Sequence, residues 1–235
     1  MWRDRSSILV VDDGSSDNTK VVVENFADNT SSNIPIHCIR TQENGGKGAA
    51  LAFGIKEVER LHPISLILTT DADGSADISG LQLHYEAIVS LLQSQSGTND
   101  TSVPFHLPAL VNGYRTYRSA SASRLLFRWG FRTVVRLICG DLGVKDSQCG
   151  FKLMTTSAAS QLYSGLNLKQ WSHDVEVFYK ARELHMPVSE EPIKWQDKDG
   201  SKLVTSPGGV IVVILRMFWD VLILRLSYVS GRWQL

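Results

Sequence analysis

Short apolar runs alternate with longer amphipathic stretches along the first half of this chain. Ile8-Leu9-Val10-Val11 predicts a buried strand, closed by the polar stretch Asp12-Asp13-Gly14-Ser15-Ser16-Asp17-Asn18-Thr19. Gly14 permits the turn, and Ser16 or Asp17 can cap a helix over 19–28. Ile36-His37-Cys38-Ile39 reads as a second strand, followed by Asn44-Gly45-Gly46-Lys47-Gly48 and a helix over 49–61. The run from Ile64 to Thr70 is a third strand, ending in Asp71-Ala72-Asp73-Gly74. A helix over 78–94 follows, with Leu81, Tyr85, Ile88 and Leu92 on one face. This alternation predicts an α/β fold with a mostly parallel central sheet and helices on both faces.

The second half is less regular. Residues 94–104 carry little that can pack and read as a mobile surface loop. Ala109 to Tyr114 predicts a strand, 120–139 a long helix, Cys149 to Met154 a short strand and 173–184 a helix. One or two amphipathic helices follow Pro207, so the chain divides into a main domain over 1–206 and a C-terminal helical segment over 207–235.

Charge changes this picture locally. The chain is neutral overall, which removes the global field that would argue for nucleic acid. Yet Arg115, Arg118, Arg124, Arg128, Arg132 and Arg136 occur between Asn112 and Arg136 without one acidic residue. The last four are spaced four apart and share a helix face, where like charges repel. Either acids elsewhere in the fold pair with them, or they face an anion such as a phosphorylated substrate or a lipid headgroup. Three scattered cysteines, Cys38, Cys139 and Cys149, form no disulfide framework or metal pattern and fit a reducing compartment. The longest apolar stretch, Val210 to Tyr228, is broken by Arg216, Asp220 and Arg225. A spanning helix needs about 20 predominantly apolar residues. With Lys202 before it and Phe218, Trp219, Tyr228 and Trp233 interleaved, the segment fits a helix lying at a membrane interface, or one packed on the domain.

Candidate chemistry gathers where strands end, the edge at which open α/β sheets hold ligands. Asp71 and Asp73 are hard oxygen donors suited to Mg²⁺ or Mn²⁺ bridging a diphosphate; the plainer reading is an acidic turn. Asp12 and Asp13 repeat that placement, as acceptors for a base or ribose. The glycine loop lacks Walker spacing, but its N–H groups suit a nucleotide at a helix start, with Lys47 adding charge. Asp146 lies in Asp146-Ser147-Gln148-Cys149-Gly150-Phe151-Lys152, and Asp174 falls in the first turn of a helix, beside His173.

Taken together, Val10-Val11-Asp12-Asp13-Gly14-Ser15, the glycine loop, Asp71-Ala72-Asp73-Gly74, the Asp146–Lys152 stretch, Gly200-Ser201-Lys202-Leu203 and Gly231-Arg232-Trp233-Gln234-Leu235 resemble the family-2, GT-A-fold glycosyltransferases. Within them, the later stretches resemble the dolichyl-phosphate β-glucosyltransferases. The resemblance implies a GT-A fold and inverting transfer of glucose from UDP-glucose to dolichyl phosphate, for N-glycan precursor assembly, at the cytosolic face of the endoplasmic reticulum membrane. A mannosyltransferase using GDP-mannose and an inactive membrane-associated member are the alternatives. It implies Mg²⁺ or Mn²⁺ at Asp71 and Asp73, donor binding by Asp12, Asp13, Lys47 and Asp71, and catalytic carboxylates among Asp73, Asp146 and Asp174. For the lipid phosphate, Arg115, Arg118, Arg124, Arg128 and Lys202 are the expected contacts. Such enzymes also carry an N-terminal anchor and a further first strand ending in an Asn-Glu loop, so this sequence is expected to be truncated. His173 stands where an apolar or aromatic residue is expected.

Overall fold

The computed structural model describes residues 6–61, 64–97, 102–117, 122–196 and 207–235. The apolar runs of the first half become strands and the amphipathic stretches helices: β1 (Ile8–Asp12), α1 (Thr19–Asn29), β2 (Ile36–Arg40), α2 (Lys47–Leu61) and β3 (Leu66–Thr69). A 3-10 turn at Ile78–Gly80 leads into α3 (Leu81–Ser96), which buries His84, Ile88 and Leu92. Then come β4 (Leu110–Tyr117), α4 (Ala122–Cys139), β5 (Lys152–Thr155), α5 (Thr156–Tyr163), α6 (His173–Glu183), β6 (Val188–Trp195) and α7 (Pro207–Val229). Part of the expected 94–104 loop is helical, since α3 continues to Ser96 and closes at Gly97 in the left-handed region. Val103, Phe105 and Leu107 then pack beneath β4, and residues 98–101 lie outside the described residues.

The strands form a parallel pair, β1–β2, and a four-stranded sheet in the order β3-β5-β4-β6. In the larger sheet β3, β4 and β6 run the same way, as a mostly parallel sheet requires, and β5 alone is reversed. β4 and β6 pair in parallel, but β5 runs antiparallel to both β3 and β4. The reversal follows from where the chain enters β5. The segment before it is tied to the strand-end rim by Arg115 and Asp146, so Lys152 begins opposite Thr69, the last residue of β3. Among the described residues, β1 and β3 share no strand pairing.

The core sits around the larger sheet. β5 is buried at every position, as a central strand covered on both faces must be. Helix α6 buries nine successive residues, His173 to Ala181, and so passes through the interior. The inner side of α7 belongs to the same core: Val221 and Leu224 are fully buried beside Val135 and Cys139 of α4. Its outer side shows Leu215, Phe218, Trp219 and Leu226 to solvent. No helix among the described residues is long and apolar enough to cross a membrane.

Candidate active site

The ends of β1 and β3 and the turn before β5 meet at one rim. Asp12 is buried at the end of β1, where Oδ1 accepts from the Ser15 amide at 2.9 Å and Oδ2 lies 3.5 Å from the Arg40 guanidinium. Hydrogen bonds from Ser15 hold its carboxyl below the usual carboxylate range against the opposing effect of burial, and Arg40 adds to the lowering. Asp13 turns the other way and grips the glycine loop. Its Oδ1 accepts from the Gly45 amide at 2.9 Å and its Oδ2 from the Gly46 amide at 2.7 Å. Gly46 has φ +93°, where an L side chain is strained, so the backbone requires glycine; a Cβ there would also push aside the end of the Gln170 side chain, 2.6 Å away. The loop is wedged between Asp13 and the 168–173 segment, whose Lys169 carbonyl accepts from Ala49 N at 3.1 Å.

Lys47, first residue of α2, crosses from this loop to β3. Its Nζ lies 2.5 Å from Asp71 Oδ1, both side chains a quarter exposed, and 5.9 Å from the Trp171 ring centroid. A Cβ on Gly150 would fall 2.7 Å from both carboxylate oxygens of Asp71, so only glycine lets that carboxylate lie against the turn. Asp73 is exposed and uses Oδ1 to accept from Ser75 N at 2.8 Å. No three His, Cys, Asp or Glu side chains among the described residues converge on a metal position. Two hard carboxylates with the remaining positions left to diphosphate and water is a usual Mg²⁺ arrangement, and this donor set fits it.

The other two candidate carboxylates are held differently. Asp146 is buried and takes a bidentate pair from Arg115, with Nε to Oδ2 at 2.7 Å and Nη2 to Oδ1 at 2.8 Å. Asp174 is buried with Lys152 Nζ 2.6 Å from its Oδ1 and His173 Nε2 at 3.1 Å. Burial alone would raise the Asp174 carboxyl, but His173 and Lys152 outweigh it and hold it well below the usual range. Lys152 also donates to the Cys149 carbonyl at 2.5 Å, joining this pair to the turn that cradles Asp71. Of the three expected catalytic carboxylates, the structure leaves Asp73 open to solvent and buries the other two in ion pairs. Of the expected phosphate contacts, Arg115 faces Asp146; Arg118 and Lys202 lie outside the described residues, as do the side chains of Arg124 and Arg128 on α4.

Residues 2–124 match the model of glycosyl transferase family 2. The chain belongs to that family. It is 32% identical over 234 residues to the dolichyl-phosphate beta-glucosyltransferase of Homo sapiens, covering 97% of this chain and 66% of the human protein. To the enzyme of that name from Saccharomyces cerevisiae it is 31% identical over 239 residues, with the same coverage. The chain therefore spans just under two thirds of the length of these relatives. Among solved structures it is similar to glucosyl-3-phosphoglycerate synthase from Mycobacterium tuberculosis in complex with Mn²⁺, uridine diphosphate and phosphoglyceric acid. That match has a TM-score of 0.58 at 15% identity, over 93% of this chain and 67% of the other. At such identity the likeness establishes the fold: a GT-A-type α/β fold with helices flanking a central sheet.

Several residues that build this family-2 site carry no signal in the chain's periodicity. Lys152 and Glu190 are the main ones. Glu190, on β6, accepts from Asn112 Nδ2 at 3.0 Å and from the Lys145 amide at 2.7 Å, and so anchors the loop that presents Asp146. Glu176 accepts from the Leu168 amide at 2.6 Å and from the Tyr228 hydroxyl at 3.0 Å, tying the 165–168 turn and α7 to α6. A charged residue flanked by apolar ones, as Glu176 is by Val175 and Val177, was the available clue.

Proposed function

We propose that this chain carries the catalytic domain of an inverting glucosyltransferase that moves glucose from UDP-glucose to dolichyl phosphate, giving dolichyl β-D-glucosyl phosphate. The observation that carries this reading is the Asp71 carboxylate, laid on Gly150 and paired with Lys47 from the glycine loop, with exposed Asp73 two residues on. The likeness to dolichyl-phosphate beta-glucosyltransferases along 97% of the chain supports the acceptor and the sugar. A solved relative of the same fold, in complex with Mn²⁺ and UDP-glucose, supports donor and metal.

In this reading Asp71 and Asp73 hold Mg²⁺ or Mn²⁺, whose charge offsets that building on the departing diphosphate. Lys47 adds a second cation, and the glycine loop, fixed by Asp13, brings backbone amides to the nucleotide. Asp12 fixes the turn that aims Asp13. An oxygen of the acceptor phosphate attacks C1 from the face opposite UDP; the new C1–O bond forms as the bond to the diphosphate breaks, and the anomeric configuration inverts. That nucleophile is already anionic, so the protein's task is orientation and charge compensation rather than proton removal. Asp146 and Asp174 then act as positioning residues, holding Arg115 and Lys152 and through them the turn against Asp71. The working location is the cytosolic face of the endoplasmic reticulum membrane, with residues 207–235 at the lipid surface. The exposed apolar side of α7, which carries Arg216 among Leu215, Phe218 and Trp219, supports that placement.

The test is transfer of radiolabelled glucose to extractable lipid by the purified chain with dolichyl phosphate and Mn²⁺. Glucolipid from UDP-glucose is expected, with none from GDP-mannose and a large loss in Asp73→Asn. Mannose transfer, or turnover indifferent to Asp73, would overturn the reading.

A further inference from the structure

A cavity of about 250 Å³ opens between α4 and the segment 140–148. Four cations line it, Arg115, Arg132, Arg136 and Lys145, against two carboxylates, Asp141 and Asp146. Two of the cations are committed: Arg115 to Asp146, and Arg136 to Asp141 at 3.3 Å in an exposed pair. Arg132 and Lys145 have no carboxylate partner among the described residues, although Lys145 Nζ sits 4.8 Å from the Tyr114 ring centroid. The lining therefore carries an excess of two positive charges, which selects an anion. Its lining is apolar as well as basic, because Phe131, Val135, Leu142 and Val144 stand beside Trp129, which is 68% exposed.

Position narrows the anion further. Ser147 and Gln148 line the cavity, and Gly150 of the same turn is the residue against which Asp71 lies. An anion held there is within two residues, along that turn, of the glycine on which Asp71 lies. A bare inorganic ion would not need the exposed indole, and a nucleotide already has the glycine loop.

We infer that this cavity seats a phosphomonoester carried on a long apolar chain, with Arg132 and Lys145 as its ligands and Trp129 under the first part of the tail. The inference rests on the glycosyl-transfer reading and deepens it, naming the acceptor's seat. It adds two residues, Arg132 and Lys145, to the contacts expected from sequence, and makes Arg115 a positioning residue, whose guanidinium fixes Asp146 in the cavity wall.

Titration calorimetry of the whole chain with citronellyl phosphate, a short isoprenoid phosphomonoester, tests it. Binding is expected, with Arg132→Ala and Lys145→Ala each weakening it roughly tenfold, as loss of one charge-assisted hydrogen bond does. Arg132→Lys should recover part of the loss. UDP affinity in Mn²⁺ should stay unchanged in all three variants, which shows that they fold. No binding to the unaltered chain, undiminished binding in both alanine variants, or equally tight binding of inorganic phosphate would overturn the inference. The two readings fail separately. Arg132-dependent citronellyl phosphate binding without any glucose transfer would sink the activity and leave the seat standing. Glucose transfer with citronellyl phosphate binding indifferent to Arg132 and Lys145 would do the reverse.

Discussion

The β1–α1–β2 unit and the β3-β5-β4-β6 sheet contribute to the same rim with very different support. Helix α1 has no buried residue, and Val21, Val22 and Phe26 are more than half exposed. In β1 only Asp12 is buried, a charged residue at the strand's end. Across the rim, β5 is buried throughout and its Lys152 is 1% exposed against Asp174. The glycine loop and Asp13 thus hang on the lightly supported unit, whereas Asp71 and its Gly150 cradle stand on the consolidated sheet. Polar ties bridge the two: Lys47 to Asp71, and the loop against Gln170 and Lys169. A rim made this way keeps the Asp71 end fixed and leaves the glycine-loop end less firmly held.

The largest contrast is expected in stability. Lys152→Met should cost about 3–5 kcal/mol, because the buried Asp174 carboxylate loses its lysine partner. Phe26→Ala on α1 should stay within roughly 0.5 kcal/mol, as exposed substitutions do. Urea unfolding of both variants checks this, and similar losses would remove the contrast. Asp174 contributes to the consolidated side with a definite sign. Its carboxyl is depressed, so its stabilisation is present above the ordinary carboxylate range and disappears only as pH falls through the lowered value.

Next in size is the bridge. Asp13→Ala frees the Gly45 and Gly46 amides, each bonded to a charged acceptor, interactions worth about 1.5–3 kcal/mol apiece. UDP affinity should drop by roughly tenfold or more, and the unfolding midpoint should fall with it, since both bonds also hold the folded loop. A large midpoint shift with intact UDP affinity would make Asp13 a residue of the core rather than of the loop.

How much of this could be read from the chain depended on whether a feature was local. Ile8–Val11 and Leu66–Thr69 announced strands, and the acids after them announced a rim, since period and position are written in adjacent residues. β5 was found, but its direction was not, because direction depends on the Arg115–Asp146 tie between residues far apart in sequence. α5 went unrecognised: TSAASQLY is short and its buried face includes two alanines. β6 was hidden by two glutamates and Pro192 in a strand that one face of α3 covers. The ion pairs of Asp146 and Asp174 were hidden for the same reason as the direction of β5. Each motif displayed a carboxylate, and its cation lay elsewhere.

A smaller difference between the two regions should appear in thiol chemistry. Burial pushes the Cys139 and Cys149 thiols up to about 11, and it also raises Cys38, which remains partly accessible on β2. Iodoacetamide at neutral to mildly alkaline pH should modify Cys38 first and leave the other two intact in the folded protein. A raised thiol contributes stability below the ordinary thiol range and loses it as pH rises through its folded value, so protection of Cys139 and Cys149 should persist until strongly alkaline conditions. Equal labelling of all three would mean that the larger sheet opens as readily as the smaller.

The central claim is that Asp71 and Asp73 meet the donor's diphosphate through a divalent cation, and calorimetric titration with UDP-glucose in Mn²⁺ and in chelator tests it most directly. Paired carboxylates without a metal repel a diphosphate, so affinity in chelator should be at least roughly tenfold lower. Asp73→Asn should narrow that gap while leaving the fold intact. Equal affinity with and without Mn²⁺, unchanged by Asp73→Asn, would contradict the account.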